Sequence, residues 1–379
     1  MTDPRHCTGC SACAAICPMG CITMQPDAQG FSKPVRKSEN CTDCGLCEKI
    51  CPVLHEPDRK ETEKVYAAYA KSETLRNDSS SGGVFGVLAQ QVLAEGGVVF
   101  GAYMNEARQV VHGMAQSSGE LAALRGSKYV QSALGDCLAQ VKSQLSAGRT
   151  VLFSGTPCQI AGLTRYLGKP YDNLLTVDLI CHGVPSPMAW REYLACREKD
   201  AGARAVGASF RDKAQGWNCF SMKLRFENGK QYAKSLHEDS YLRGFLANLF
   251  LNDACSDCRF KGTSRCSDVT LADFWGVEKT LPALKDDKGV SLLLVRSAAA
   301  ARLLRSCKER LYILEVPMEE ALQCNTAATH SVQSHRNRAR FFAGLSAGKS
   351  FDRLTEACLR RPFYRRVLSK MKRLLRGKQ

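Results

Sequence analysis

Two cysteine runs with one spacing restrict this chain more than any other feature: Cys7, Cys10, Cys13 and Cys17 before Pro18, and Cys41, Cys44, Cys47 and Cys51 before Pro52. In the C-x2-C-x2-C-x3-C-P pattern, three thiolates wrap one 4Fe-4S cube and the fourth reaches to the other cube, so the two runs fold as one unit. The expected ligand sets are Cys7, Cys10, Cys13 and Cys51 for one cluster, and Cys17, Cys41, Cys44 and Cys47 for the other. Gly9 and Gly45 give the loops the backbone freedom a tight wrap needs, and each proline keeps the chain from closing into a helix over the cluster. A disulfide framework fits poorly with an N-terminus that carries no secretory signal, and zinc would not need a fourth thiolate set before proline. One-electron transfer is therefore part of the function.

The runs use about the first 55 of 379 residues, and the remainder of a chain that is 44% hydrophobic is long enough for one large or two modest domains. No apolar run reaches the ~18 residues of a membrane span, and reduced thiols place the chain in the cytoplasm. The net charge of +16 is unevenly placed: residues 331–379 hold 14 Lys and Arg against Asp352 and Glu356. The rest is close to neutral and its basic residues do not alternate with stacking aromatics, so nucleic acid is not an expected partner.

The cluster module is expected over residues 1–57, followed by a charged linker over 57–64. Strands are then expected at 65–70, 98–104, 110–115, 150–153 and 174–180, and helices at 82–95, 134–147, 157–167 and 187–199. A hairpin is expected around Asn228-Gly229. This alternation predicts an α/β (α+β) body with a largely parallel sheet, divided into an N-terminal part over 64–147 and a C-terminal part over 148–330.

Three body segments carry chemistry. Ser79-Ser80-Ser81-Gly82-Gly83 stands directly before a helix, where exposed amides and the helix dipole favour a phosphate or diphosphate; the same residues also read as an ordinary serine-capped helix start. Cys158 follows a strand and opens a helix, while Cys181 and His182 end the next strand, so neighbouring strand ends bring these side chains together. Cys255-x2-Cys258, with Cys266 beyond it, suits zinc, a redox dithiol or part of a cluster. Joined by Cys158 and Cys181 it supplies four soft ligands for a third 4Fe-4S cluster, with Cys266 in reserve. The remaining cysteines, Cys21 among them, read as small apolar residues.

Five motifs in order, at 80–85, 126–132, 155–161, 181–185 and 255–275, together resemble the coenzyme F420 hydrogenase/dehydrogenase beta-subunit family, here with an N-terminal dicluster ferredoxin domain. The resemblance implies an FAD-containing iron–sulfur oxidoreductase that passes electrons between a ferredoxin or other redox donor, the clusters, FAD and an organic small molecule. It does not by itself establish use of coenzyme F420. Carried onto this chain, it makes Ser81, Gly82, Gly83, Ser127, Lys128 and Tyr129 the flavin-site candidates, and Cys158, Cys181, Cys255 and Cys258 the ligands of the body cluster. His182, Arg211 and Asp273 become candidate proton donors or substrate clamps. A shuttle subunit serving a separate catalytic protein is the alternative to an enzyme in its own right.

The segment 331–379 reads as a basic helical tail. After Pro362, Phe363, Val367, Leu368, Met371, Leu374 and Leu375 share one helical face among basic residues, as in helices that lie on anionic lipid. A terminal helix packed on the body, or a dock for an acidic ferredoxin, has the same pattern. The expected location is the cytoplasm, extending through this tail to the inner face of the membrane.

Overall fold

The computed structural model describes residues 2–360, and the expected helix after Pro362 lies outside them. The N-terminal module opens with two loops of similar design. Helix Ala12–Ile16 follows Ser11 and helix Leu46–Lys49 follows Gly45, both residues being in the left-handed region (φ 61° and 70°). Gly9 (φ +75°) is also tightly enclosed, since a Cβ there would lie 2.7 Å from the Ser32 carbonyl oxygen. Between the loops, β1 (Ile22–Pro26) pairs antiparallel with β2 (Ser32–Arg36).

This module is built into the body. The Gln131 side chain accepts the Ser32 N–H at 2.7 Å and donates to the Thr8 carbonyl at 3.2 Å. Ala12 packs with Ile160 and Leu163. The segment expected as a linker is equally tied down: Lys60 exchanges backbone hydrogen bonds with Arg265 at 2.7 and 3.1 Å, and its ammonium meets Asp268 at 2.7 Å.

The body contributes β3 (Lys64–Ala70), β4 (Val98–Met104), β5 (Val110–Ala115), β6 (Val151–Ser154) and β7 (Leu174–Leu179), then β8 (Ala205–Asp212), β9 (Ser221–Phe226) and β10 (Gln231–Ser235), and finally β11 (Val269–Asp273), β12 (Ser291–Val295) and β13 (Leu311–Glu315). Eight of them form one sheet in the order β13-β3-β12-β11-β7-β6-β4-β5. The sheet is mixed, not largely parallel. The contiguous strands β4, β6, β7 and β11 run parallel, whereas β5, β12, β3 and β13 join antiparallel. A parallel neighbour needs a long crossover, usually a helix, but β4 turns straight back into β5 through residues 105–109.

Alternation along the strands fills both faces. From β4, Val99 joins the core under helix Val84–Ala94, while Val98 and Phe100 join the core under helices Cys137–Ser146 and Pro157–Leu167. A separate aromatic core lies between the antiparallel sheet β10-β9-β8 and helices Pro187–Ala201 and Ser240–Leu246. Helices Arg338–Ser346 and Phe351–Leu359, expected as part of the tail, bury Phe341, Phe342, Phe351 and Leu354 in this core. No helix among the described residues is long and apolar enough to cross a membrane.

Candidate redox site

The cysteines gather around three small cavities. Cys7, Cys10, Cys13 and Cys51 line one of about 30 Å³, together with Cys47. Cys17, Cys41, Cys44 and Cys47 line a second of about 140 Å³. The fold thus brings the fourth cysteine of each run to the other run. Cys21, read from the sequence as apolar filling, also lines the second cavity, with its Sγ 3.2 Å from that of Cys17. Its position four residues after Cys17 was the available signal.

The third cavity, also about 30 Å³, is lined by Cys158, Cys181, Cys255 and Cys258. Cys266 lies outside it, against Val53, Ala161 and Phe260. Lys261 and Arg265 stand in the wall, and the Val184 N–H donates to Cys255 Sγ at 3.3 Å. A basic wall and an amide directed at sulfur fit an anionic cluster. Among the described residues no group of His, Cys, Asp and Glu is arranged to hold a metal ion. That is compatible with a cube, whose thiolates stand further apart than those around one ion. Burial pushes Cys10 and Cys13 up to about 12 and Cys181 up to about 11, so ligation at these sites displaces thiol protons.

A larger cavity of about 430 Å³ opens at the carboxyl ends of the parallel strands, the edge where sheets of this kind place their ligands. Thr156 and Cys158 reach it from beyond β6, Cys181 and His182 from beyond β7, and Asp273 from the end of β11. Arg211 enters from β8, and Ser127, Lys128 and Tyr129 supply another wall.

Ser81, Gly82 and Gly83 are not in this wall. Gly82 donates its N–H to Ser291 Oγ at 3.0 Å, and a Cβ there would lie 2.6 Å from the Ala68 carbonyl oxygen. At Gly82 the lack of a side chain serves close packing on β3 and β12. The turn supports the cavity from behind, since Ser80 Oγ accepts the Ser127 N–H at 2.7 Å.

The charged groups have distinct settings. Asp273 accepts Trp217 Nε1–H at 2.8 Å on one oxygen and pairs with Arg211 Nη1 on the other, so it anchors the arginine and is not placed as a proton donor. Burial opposes the charge on Arg211, but the adjacent Asp273 carboxylate and Tyr129 together outweigh it and raise the pKa. The guanidinium lies 4.2 Å from the Phe220 ring centre and 5.3 Å from that of Trp275, and its buried Nε and Nη2 find no acceptor. Trp275 stacks on Trp217 at 4.7 Å, and Tyr129 on Phe245 at 4.4 Å. Burial lowers the pKa of Lys128 to about 7, although its ammonium donates to the Ala123 and Arg125 carbonyls, each at 2.8 Å. Burial likewise lowers that of His182, whose Nε2 lies 2.6 Å from Asn248 Oδ1. Aromatic faces, two cationic side chains and a neighbouring cysteine set suit a planar aromatic group with acceptor edges.

These features define an iron–sulfur electron-transfer protein of an oxidoreductase class. Residues 6–54 match the 4Fe-4S dicluster domain, residues 65–139 the N-terminal part of the coenzyme F420 hydrogenase/dehydrogenase beta subunit, and residues 148–321 its C-terminal part. The chain belongs to the coenzyme F420 hydrogenase/dehydrogenase beta-subunit family. Among solved structures, a chain of the F420-reducing [NiFe] hydrogenase complex from Methanosarcina barkeri is similar at 14% identity and a TM-score of 0.48, over 71% of this chain and 88% of that one. No curated protein matches the chain.

Proposed function

We propose that the chain is an FAD- and iron–sulfur-dependent oxidoreductase that moves electrons between a ferredoxin-type donor and an organic molecule. The observation that carries this reading is a set of shared walls. Cys47 lines both cavities of the N-terminal module; Thr8 lines one of these, the Cys158 set and the large cavity; Cys158 and Cys181 line the last two together. Electrons entering at the module surface thus have adjacent stations leading to the large cavity.

FAD, when bound there, exchanges single electrons with a cluster and a hydride with an organic acceptor. Tyr129 and Trp275 offer ring faces to a planar group, Arg211 places positive charge beside it with Lys128 in the same wall, and Asp273 holds Arg211 in position. His182 is uncharged near neutral pH. With Nε2–H donating to Asn248, its Nδ1 is the nitrogen able to take a proton.

The test is anaerobic purification with iron, sulfide and flavin measured per chain, then reductive titration. Arg211→Met is expected to keep the iron and lower flavin occupancy at least tenfold at a fixed added concentration; unchanged flavin in that variant places the cofactor elsewhere. A second reading, an electron-transfer subunit for a separate catalytic protein, is favoured by Leu179 and Leu246, which line the large cavity yet remain 39% and 44% exposed, as a partner's contact surface would be. Turnover of an organic acceptor by the purified chain with dithionite separates the two.

A further inference from the structure

A hydrogen-bonded chain of side chains links the wall of the large cavity to the Cys158 cluster ligand, and its polarity is determined from both ends. At one end His112 Nε2 lies 3.0 Å from the Ser154 carbonyl oxygen, which can only accept, so Nε2 carries the hydrogen. The ring is buried on Phe153 and neutral, which makes Nδ1 an acceptor for the Ser132 hydroxyl at 2.9 Å. Ser132 Oγ in turn accepts from Gln159 Nε2 at 3.0 Å. At the other end the Thr156 N–H, which can only donate, meets Gln159 Oε1 at 2.9 Å. The two ends require the same orientation of Gln159.

One rotor is left undetermined. Thr156 Oγ lies 3.1 Å from Cys158 Sγ and 3.2 Å from Gln159 Oε1, and its single hydrogen can serve only one of them at a time. A Cys158 thiol could donate to Thr156, whose own hydrogen would then go to Gln159. A Cys158 thiolate on iron has no hydrogen and can only accept.

We infer that Thr156 is a positioning residue whose hydroxyl donates to the Cys158 sulfur once the body cluster is bound, and so raises the reduction potential of that cluster. The inference rests on the proposal that Cys158, Cys181, Cys255 and Cys258 hold a cluster. A donor on a ligand sulfur stabilises the more negative, reduced cluster. The Val184 N–H already serves Cys255 in the same way. With Thr156 the cluster has a donor on a second ligand, on the side facing the large cavity.

The test is an EPR-monitored redox titration of full-length, iron-loaded protein. The body-cluster signal is identified as the one lost in the Cys255→Ala, Cys258→Ala double variant. Thr156→Val should lower the midpoint of that signal by about 59 mV, a tenfold change in the reduced-to-oxidised ratio of a one-electron couple. Thr156 also caps the Pro157–Leu167 helix, so Thr156→Gly is the companion variant; glycine lacks the hydroxyl and is well tolerated at an N-cap. It should shift the midpoint alike, while Thr156→Ser leaves it in place and the two ferredoxin-type signals do not move. An unchanged midpoint in both the valine and glycine variants, with iron content at the wild-type level, overturns the inference. If the double cysteine variant loses no signal, the ligand assignment fails instead, a separate and distinguishable result.

Discussion

Replacing Cys255 and Cys258 together with alanine is expected to remove about four of about twelve irons per chain and to leave the ferredoxin-type pair intact. Both residues line the cavity shared with Cys158 and Cys181, and neither lines the two cavities of the N-terminal module. The loop that carries them should stay folded. Lys60 and Arg265 pair through their backbones, and Arg265 donates to Asp178 and to the Leu179 carbonyl from a buried position. Iron and sulfide content with EPR of anaerobically purified protein reads the result. Zinc in place of the missing third, or loss of all iron, would overturn the assignment of a body cluster.

Ending the chain after residue 330 is expected to abolish folding of the aromatic core, although that cut removes no cysteine of the three cavity sets. Phe351 is 1% exposed and makes edge contacts with Phe341 at 5.7 Å and Tyr193 at 5.5 Å. Asp352 pairs with the buried Arg197 and accepts from Ser240 at 2.6 Å. A milder probe is Phe351→Ala, expected to cost ~3–5 kcal/mol through lost burial and the cavity left behind. Denaturant unfolding followed by circular dichroism measures it. A truncated chain that unfolds with the wild-type midpoint would show the two helices to be dispensable.

Local signals carried much of the fold. The strand at Val98–Met104, its partner at Val110–Ala115 and the helix at Pro157–Leu167 occur with the bounds expected from patterning and from Pro157 at the helix start. The mixed sheet did not follow from such patterns, because a strand's buried sequence does not state the direction of its neighbour. The place of β3 between β12 and β13 joins residues more than 200 positions apart, and local periodicity has no bearing on it. The packing of Gly82 was hidden for a related reason. Glycine before a helix serves a phosphate or a close backbone contact equally well, and the Ala68 carbonyl that Gly82 packs against is absent from any local pattern.

The spacing of Cys7 to Cys17 and Cys41 to Cys51 determined the two wrapping loops, since ligands three residues apart meet whatever the rest of the chain does. Motifs at strand ends determined that Cys158, Cys181 and His182 would face one edge. Tertiary structure alone decided that Arg211 and Asp273 pair within that same cavity, that Cys21 touches Cys17, and that the Thr156 hydroxyl stands between Gln159 and Cys158. These outcomes depend on sheet order, register and loop path, which are settled by global packing of residues far apart in the chain.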